Sequence, residues 1–200
     1  MDLSKKSEIK ERFLDAFSSR LKPTDGNILL SSTYDNLDPL TDILRKNTAE
    51  QITIYDIRNN IEGYLWTMPV DTFLHFLPAF LYHALNNYEE VSIFASELIG
   101  ALTRPEREDI IESIERLKNS QKDLSLPNDI TDQISKQQLE WYDSGSPEAN
   151  FINCFSSLSN EEGAAILYFL EAFKEAHGED FPFDELDIAI ARYWAKFEAY

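Results

Sequence analysis

Residues 64–85 read YLWTMPVDTFLHFLPAFLYHAL, and only Asp71 in that stretch carries a formal charge. A segment this apolar can span a membrane, fill a protein core, or floor a binding groove. At about 100° per residue, Val70, Phe73, Leu74, Phe76, Leu77, Phe80, Leu81, Ala84 and Leu85 cover one half of a helix. Asp71, His75, Tyr82 and Asn86 fall on the other half, with Thr72, His83 and Pro78 beside them. A membrane span would hold Asp71 in hydrocarbon at a cost of about 2.5–3.5 kcal/mol. It would also bury two His and would lack a Lys or Arg anchor at either end. The pattern therefore predicts a core helix over residues 69–86. Thr67 caps it, Pro69 opens it, and Pro78 kinks it by leaving the Leu74 carbonyl without a donor. Phe73, Leu77, Phe80 and Ala84 are expected inside, with Asp71 nearer solvent.

Other segments carry the same three- and four-residue apolar spacing. Ile9, Phe13, Ala16, Phe17 and Leu21 predict a helix over 4–21, stopped by the turn cluster KPTDGN. Asp38 and Pro39 suit a helix start, and QITIYDI (51–57) reads as a helix or an extended link. Asn87 and Glu90 have capping-box spacing. A further helix opens at Pro105, with Ile110, Ile111, Ile114 and Leu117 on one side. DLSLPNDITDQIS (123–135) reads as a polar connection, and SPEANFINCFSSL as a short helix. Ser159 and Glu162 form a second capping box, and Gly178 stands where a helix ends. Its apolar face is Ile166, Phe169, Leu170 and Phe173, with Glu171 and Glu175 opposite. The last helix sets Leu186, Ile190, Tyr193, Trp194 and Phe197 against Arg192 and Lys196. With 6 Gly and 8 Pro in 200 residues, a many-turned β-sandwich is disfavoured. The expected architecture is one all-α domain over residues 1–200: an irregular multi-helix bundle of about eight helices around a central kinked helix.

TYDNLDP, LWTMPVDTFLHFLPAFLYHAL and FSSLSNEEGAAILYFLEAF, in that order, resemble a bacterial family of small uncharacterised all-α proteins, a domain of unknown function. The shared signature is an aromatic Leu-Pro-Ala-Phe-Leu helix, here Leu77 to Leu81, followed later by a helix after a Leu-Ser cap, here Leu158–Ser159. The likeness covers roughly residues 28–173. The family pattern places a Gln soon after that cap; here stand Glu161, Glu162 and Gly163. The resemblance implies a bacterial source and no catalytic residue.

Charge is the strongest global fact. The chain holds 36 acidic and 18 basic residues, a formal net charge of −18. Residues 59–103 hold 5 acids and no base, and residues 137–200 hold 13 acids against 3 bases. Such a surface repels nucleic acid and anionic membrane and attracts cationic partners. The segment EAHGEDFPFDELD (175–187) has six acids and no base, with Phe181 and Phe183 flanking Pro182. Read structurally, it is a solvated loop whose two Phe plug the core. Read functionally, Glu179, Asp180, Phe181, Phe183, Asp184 and Glu185 dock a basic protein partner, the charges steering and an aromatic anchoring.

Catalytic signals are weak. Asp71 and His75 lie four apart, so a carboxylate can orient an imidazole, but a helix-surface ion pair has the same spacing. With Tyr82 they would line the alternative site, a small-ligand or enzyme pocket where Pro78 opens the central helix. No Gly-rich phosphate loop, HExxH, GxSxG or CxxC occurs. Cys154 is the one cysteine, so no disulfide can form within the chain, and its apolar neighbours suit an inert thiol. Three His without a second four-residue pairing make a poor metal set, and no cofactor or metal is expected. The N-terminal MDLSKKSEIKERF has no apolar leader core, so a cytoplasmic location is expected. The resulting expectation is a non-catalytic, acidic, protein-binding protein of the bacterial cytosol, such as an immunity or antitoxin-like inhibitor or an adaptor for a basic partner.

Overall fold

The computed structural model describes residues 3–24, 28–29, 38–120 and 128–200. Among them there are ten α-helical segments and no strand, so the protein is an all-α multi-helix bundle. Residues 33–37 of the TYDNLDP tract and 25–27 of the turn cluster lie outside the described residues, as does the Asp38 side chain. In chain order the helices are α1 (Leu3–Ala16), α2 (Asp38–Lys46), α3 (Ile54–Asp56), α4 (Val70–Asn86), α5 (Ser92–Leu102), α6 (Arg107–Ser120), α7 (Asn128–Asp143), α8 (Ser146–Phe155), α9 (Asn160–His177) and α10 (Glu185–Arg192). They group into two compact units: Met1–Thr103 with Leu158–Tyr200, and Arg104–Ser157.

In the first unit α4 is central. It packs against α1, α5 and α9. Phe73, Leu77, Phe80 and Ala84 are all buried, and the rings of Phe76, Phe80 and Phe94 are fully enclosed. Phe80 meets Phe94 of α5 edge to face at 5.5 Å, a favoured aromatic geometry. The buried sector is wider than the helical wheel predicts: Thr72 and Pro78 are buried as well. Three packed neighbours leave little of the helix for water, so Pro78 lies inside and not on a polar side. Pro69 is the N-cap residue, and Thr67 instead donates its hydroxyl to the Tyr64 carbonyl at 2.7 Å.

Several boundaries differ from the sequence expectation, each for a local reason. α1 ends at Ala16, and Leu21 is 87% exposed beyond it. Residues 51–57 form short helical turns, with α3 running into a π turn over Ile57–Ile61. Asn87 makes no cap for a helix through Glu90. Its side chain meets His83, a 3-10 turn follows over Tyr88–Glu90, and α5 begins only at Ser92. Gly178 keeps a right-handed backbone, φ −59°, and continues into a 3-10 turn. The expected last helix is interrupted at Tyr193, which separates α10 from a 3-10 turn over Trp194–Phe197. Trp194 is nevertheless fully buried, and its indole N–H donates to the Leu102 carbonyl at 2.6 Å. That bond satisfies a carbonyl left open at the end of α5.

The second unit is α6, α7 and α8. The polar tract read as a connection forms α7 from Asn128 onward; residues 121–127 lie outside the described residues. Arg107 grips Asp143 with Nε and Nη2 at 2.9 and 3.3 Å, and Arg104 pairs with Glu148. The α6 start falls at Arg107, where the Glu106 N–H donates to Asp109 at 2.9 Å.

α9 carries the best local signal in the chain. The Glu162 N–H donates to Ser159 Oγ at 3.2 Å, and the Ser159 N–H donates to Glu162 Oε2 at 2.7 Å. Both donors belong to the set that a helix start leaves open. Glu162 is also buried, 1% exposed, and Arg20 reaches it from the end of the α1 segment. Arg20 Nε lies 2.5 Å from Oε1 and Nη2 2.8 Å from Oε2, a two-point pairing that suits guanidinium and carboxylate. Beside it, Gly163 faces Phe197 so closely that an added Cβ would lie 2.3 Å from a ring carbon. Of the three residues after the Ser159–Asn160 start, Glu161 is thus exposed, Glu162 is a buried acid and Gly163 is covered by a ring.

Two stability outcomes follow from this corner. Arg20→Met strands the Glu162 carboxylate in the interior, which costs about 3–5 kcal/mol when one partner of a buried pair is lost; urea unfolding reads it as a lower midpoint. Gly163→Ala gains up to about 1 kcal/mol of helix propensity but loses about 1–3 kcal/mol to overpacking against Phe197. A lower melting temperature is therefore expected, and an unchanged or higher one would show that Phe197 moves aside freely.

Candidate functional site

The acidic segment 175–187 begins in the last turn of α9 and ends in the first turn of α10. An aromatic cluster fixes it from below. The Tyr88 ring lies 4.4 Å from His177 and 5.4 Å from Phe173, and Phe181 lies 5.5 Å from Phe173 and 6.3 Å from Tyr88. Phe173 is fully buried, so the cluster grows out of the core. Burial first, then the nearby Asp180 carboxylate, pushes the Tyr88 phenol above the usual tyrosine value of 10.0.

The six predicted docking residues do not share one environment. Phe181 is half-buried in the cluster, while Phe183 is 62% exposed. The two Phe therefore divide between the structural and the surface reading. Asp180 is exposed. Glu185 accepts the Phe183 N–H at 3.0 Å, and Glu179 and Asp184 are exposed. Asp184 has φ +58°, a left-handed turn that Asp tolerates better than most side chains. Glu179, Phe181 and Asp184 line a surface hollow of about 310 Å³ together with Lys174, Leu186 and Asp187. At its rim Lys174 pairs with Asp187 at 2.5 Å.

The alternative trio is spread along α4. Asp71 is exposed, and no hydrogen bond or ion pair joins it to His75. His75 instead meets the Arg20 carbonyl through Nδ1 at 3.0 Å, while its Nε2 is buried without a partner among the described residues. Tyr82 is half-buried, with the Lys10 ammonium 5.9 Å from its ring centre. The α1 segment thus meets His75 and Tyr82, while Asp71 stays in solvent. Cys154 is half-exposed. Among the described residues no three His, Cys, Asp or Glu side chains group as metal ligands, and no helix is long and apolar enough to cross a membrane.

Sequence reasoning missed a second surface feature. Glu97 of α5 accepts the backbone N–H of Gly63 at 2.8 Å and of Leu65 at 3.1 Å. In return Glu62 accepts the Phe94 N–H, near the start of α5, at 3.1 Å. These two carboxylates clamp the turn at Gly63, whose φ of +83° favours glycine. Burial pushes the Glu97 carboxyl above its ordinary value, Glu62 adds to this, and the two N–H bonds oppose it. The clamped turn displays Trp66, 59% exposed, whose indole donates to the Gly63 carbonyl at 2.9 Å. The available signal was its place in a base-free stretch, three residues before the Pro69 cap and therefore off the α4 core face.

No protein family, curated protein or solved structure matches the chain. The functional reading therefore rests on the surface itself.

Acid sensitivity follows from the histidines under the α1 side. Burial lowers the His75 and His83 imidazoles below 6.5, while their backbone bonds to Arg20 and Ile52 partly oppose the shift. The unfolded rings therefore take up protons first as pH falls. The stability they contribute is complete above about pH 6.5 and declines below it, down through the folded values. Melting temperature should fall between pH 7.5 and 5.5, and a His75→Gln, His83→Gln double variant should fall less. Equal losses in the two proteins would assign the acid sensitivity to other groups.

Proposed function

We propose that this protein is a non-catalytic binding protein whose acidic face docks a basic protein partner. The observation that carries the reading is the rim of the 175–187 segment. Glu179 and Asp184 stand in solvent around a hollow, and Phe183 stands exposed beside them on a loop anchored by a buried aromatic cluster. Exposed acids guide encounter, and a rigidly mounted aromatic adds short-range contact. The chain-wide charge of −18 favours the same class of partner. An immunity or antitoxin-like inhibitor, or an adaptor, has this character, and the family resemblance supports a bacterial host. A bacterial cytosolic protein of this kind would meet its partner inside the cell.

Capture of partners from a bacterial extract, with parent and charge-reversed protein side by side, tests the reading. The parent should retain a basic protein at low salt and release it toward 1 M salt, where the Debye length shrinks from about 10 Å at 0.1 M to about 3 Å. A Glu179→Lys, Asp184→Lys variant should associate more slowly with that protein, mainly in the on-rate. The same reversal at Glu108 and Glu112 of α6, which has bases of its own, should matter less. Recovery of no basic protein, or rates equal for both variants and indifferent to salt, would end the proposal.

A further inference from the structure

Resting on that reading, we propose that the docking surface extends beyond the 175–187 segment, with Ile93 and Trp66 as apolar anchors for a lysine- or arginine-rich protein segment that carries apolar side chains. The chain of contacts joining the two regions lies within one compact unit. Tyr88 touches His177 and Phe181, so the turn Tyr88–Glu90 sits against the acidic segment. Glu89 and Glu90 on that turn are exposed. Next along the chain is Ile93, 70% exposed on the first turn of α5. Four residues on, Glu97 shares its helix face and holds Gly63 and Leu65. That clamp carries Trp66.

Carboxylates from Asp180, Glu89, Glu90, Glu62 and Glu97 thus mark a continuous route, with exposed apolar side chains at Phe183, Ile93 and Trp66. Residues 59–103 contribute no Lys or Arg to it. At its edges Lys174 pairs with Asp187, and Lys6 donates to the Asn86 carbonyl at 3.3 Å. Large apolar side chains held in solvent by a hydrogen-bonded clamp do not serve the core, and acids around them select against an acidic or purely apolar partner. Charge complementarity therefore commits the surface to a cationic, amphipathic protein segment. Trp and flanking acids match what binding hot spots use: an aromatic anchor inside a polar rim.

Two synthetic probes separate the anchors from the charges. One is a lysine–leucine peptide patterned as an amphipathic helix; the other is its lysine–serine analogue. Binding is read by anisotropy of a dye on the peptide. The lysine–leucine peptide should bind the parent and weaken about tenfold or more with Trp66→Ala or Ile93→Ala. Trp141→Ala, on α7 of the other unit, should leave it unchanged. The lysine–serine peptide should ignore the Trp66 and Ile93 substitutions and respond to Glu179→Lys, Asp184→Lys. Trp66→Phe keeps an aromatic anchor without the Gly63 bond and should retain most of the affinity, which separates contact from support of the turn. Circular dichroism of each variant confirms that the helices persist.

If the lysine–leucine peptide binds parent, Trp66→Ala and Ile93→Ala alike while the acidic-segment reversal weakens it, the extended surface is refuted and the acidic face stands. If neither peptide binds the parent at low salt, both readings fall. A parent-like response to Ile93→Ala alone removes Ile93 as an anchor and overturns the proposal as stated.

Discussion

The Arg20–Glu162 pair is the constraint around which the first unit closes. Glu162 is buried, so its charge has to be matched where it sits, and Arg20 matches it from 142 residues away. The same carboxylate completes the cap of α9. One side chain therefore fixes where α9 starts and where the segment after α1 must pass. That segment in turn lays the Arg20 carbonyl on His75 and covers one side of α4. Interior ion pairs add little net stability compared with apolar packing but penalise any arrangement that separates them. Here the penalty falls on every fold that misplaces either end of the pairing.

Much of the helical content was legible in sequence because it follows from local spacing. The Ser159–Glu162 box, the Phe169–Phe173 face and the apolar side of α4 are all written within a few residues of one another. What spacing does not show is which polar residues meet other parts of the chain. His75, Tyr82 and Asn86 look solvent-facing on a wheel, yet α1 supplies Lys6 and Lys10, and the segment after it the Arg20 carbonyl, to meet them. Glu162 looks like an ordinary capping acid and is an interior charge. α7 escaped notice because its sequence is polar on most sides, and only Thr131 and Ser135 among its described positions are buried. The face it buries is polar, so apolar periodicity does not mark it.

The candidate surface divides the same way. The acidic segment was visible as composition, but composition does not separate Phe181, drawn into the Tyr88 cluster, from Phe183, left outside. Trp66 and Ile93 were hidden for the opposite reason. Apolar residues in an apolar stretch read as core, and only the clamp between Glu62, Glu97 and the Gly63 turn holds this part of the chain so that its aromatic side chain faces water.

The bond from Trp194 to the Leu102 carbonyl spans 92 residues, and the three helices of the second unit lie between its two ends in the chain. A ribosome making this protein completes α1, α4 and α5 well before it has made Glu162 or Trp194. At about 5–20 residues per second, the first unit waits several seconds with its central apolar helix lacking α9 and the Trp194 plug. The second unit is contiguous and needs no such wait. Biosynthesis thus exposes the central helix of the first unit during the interval when the closing segment does not yet exist, which makes that nascent stage the natural point for chaperone engagement or self-association.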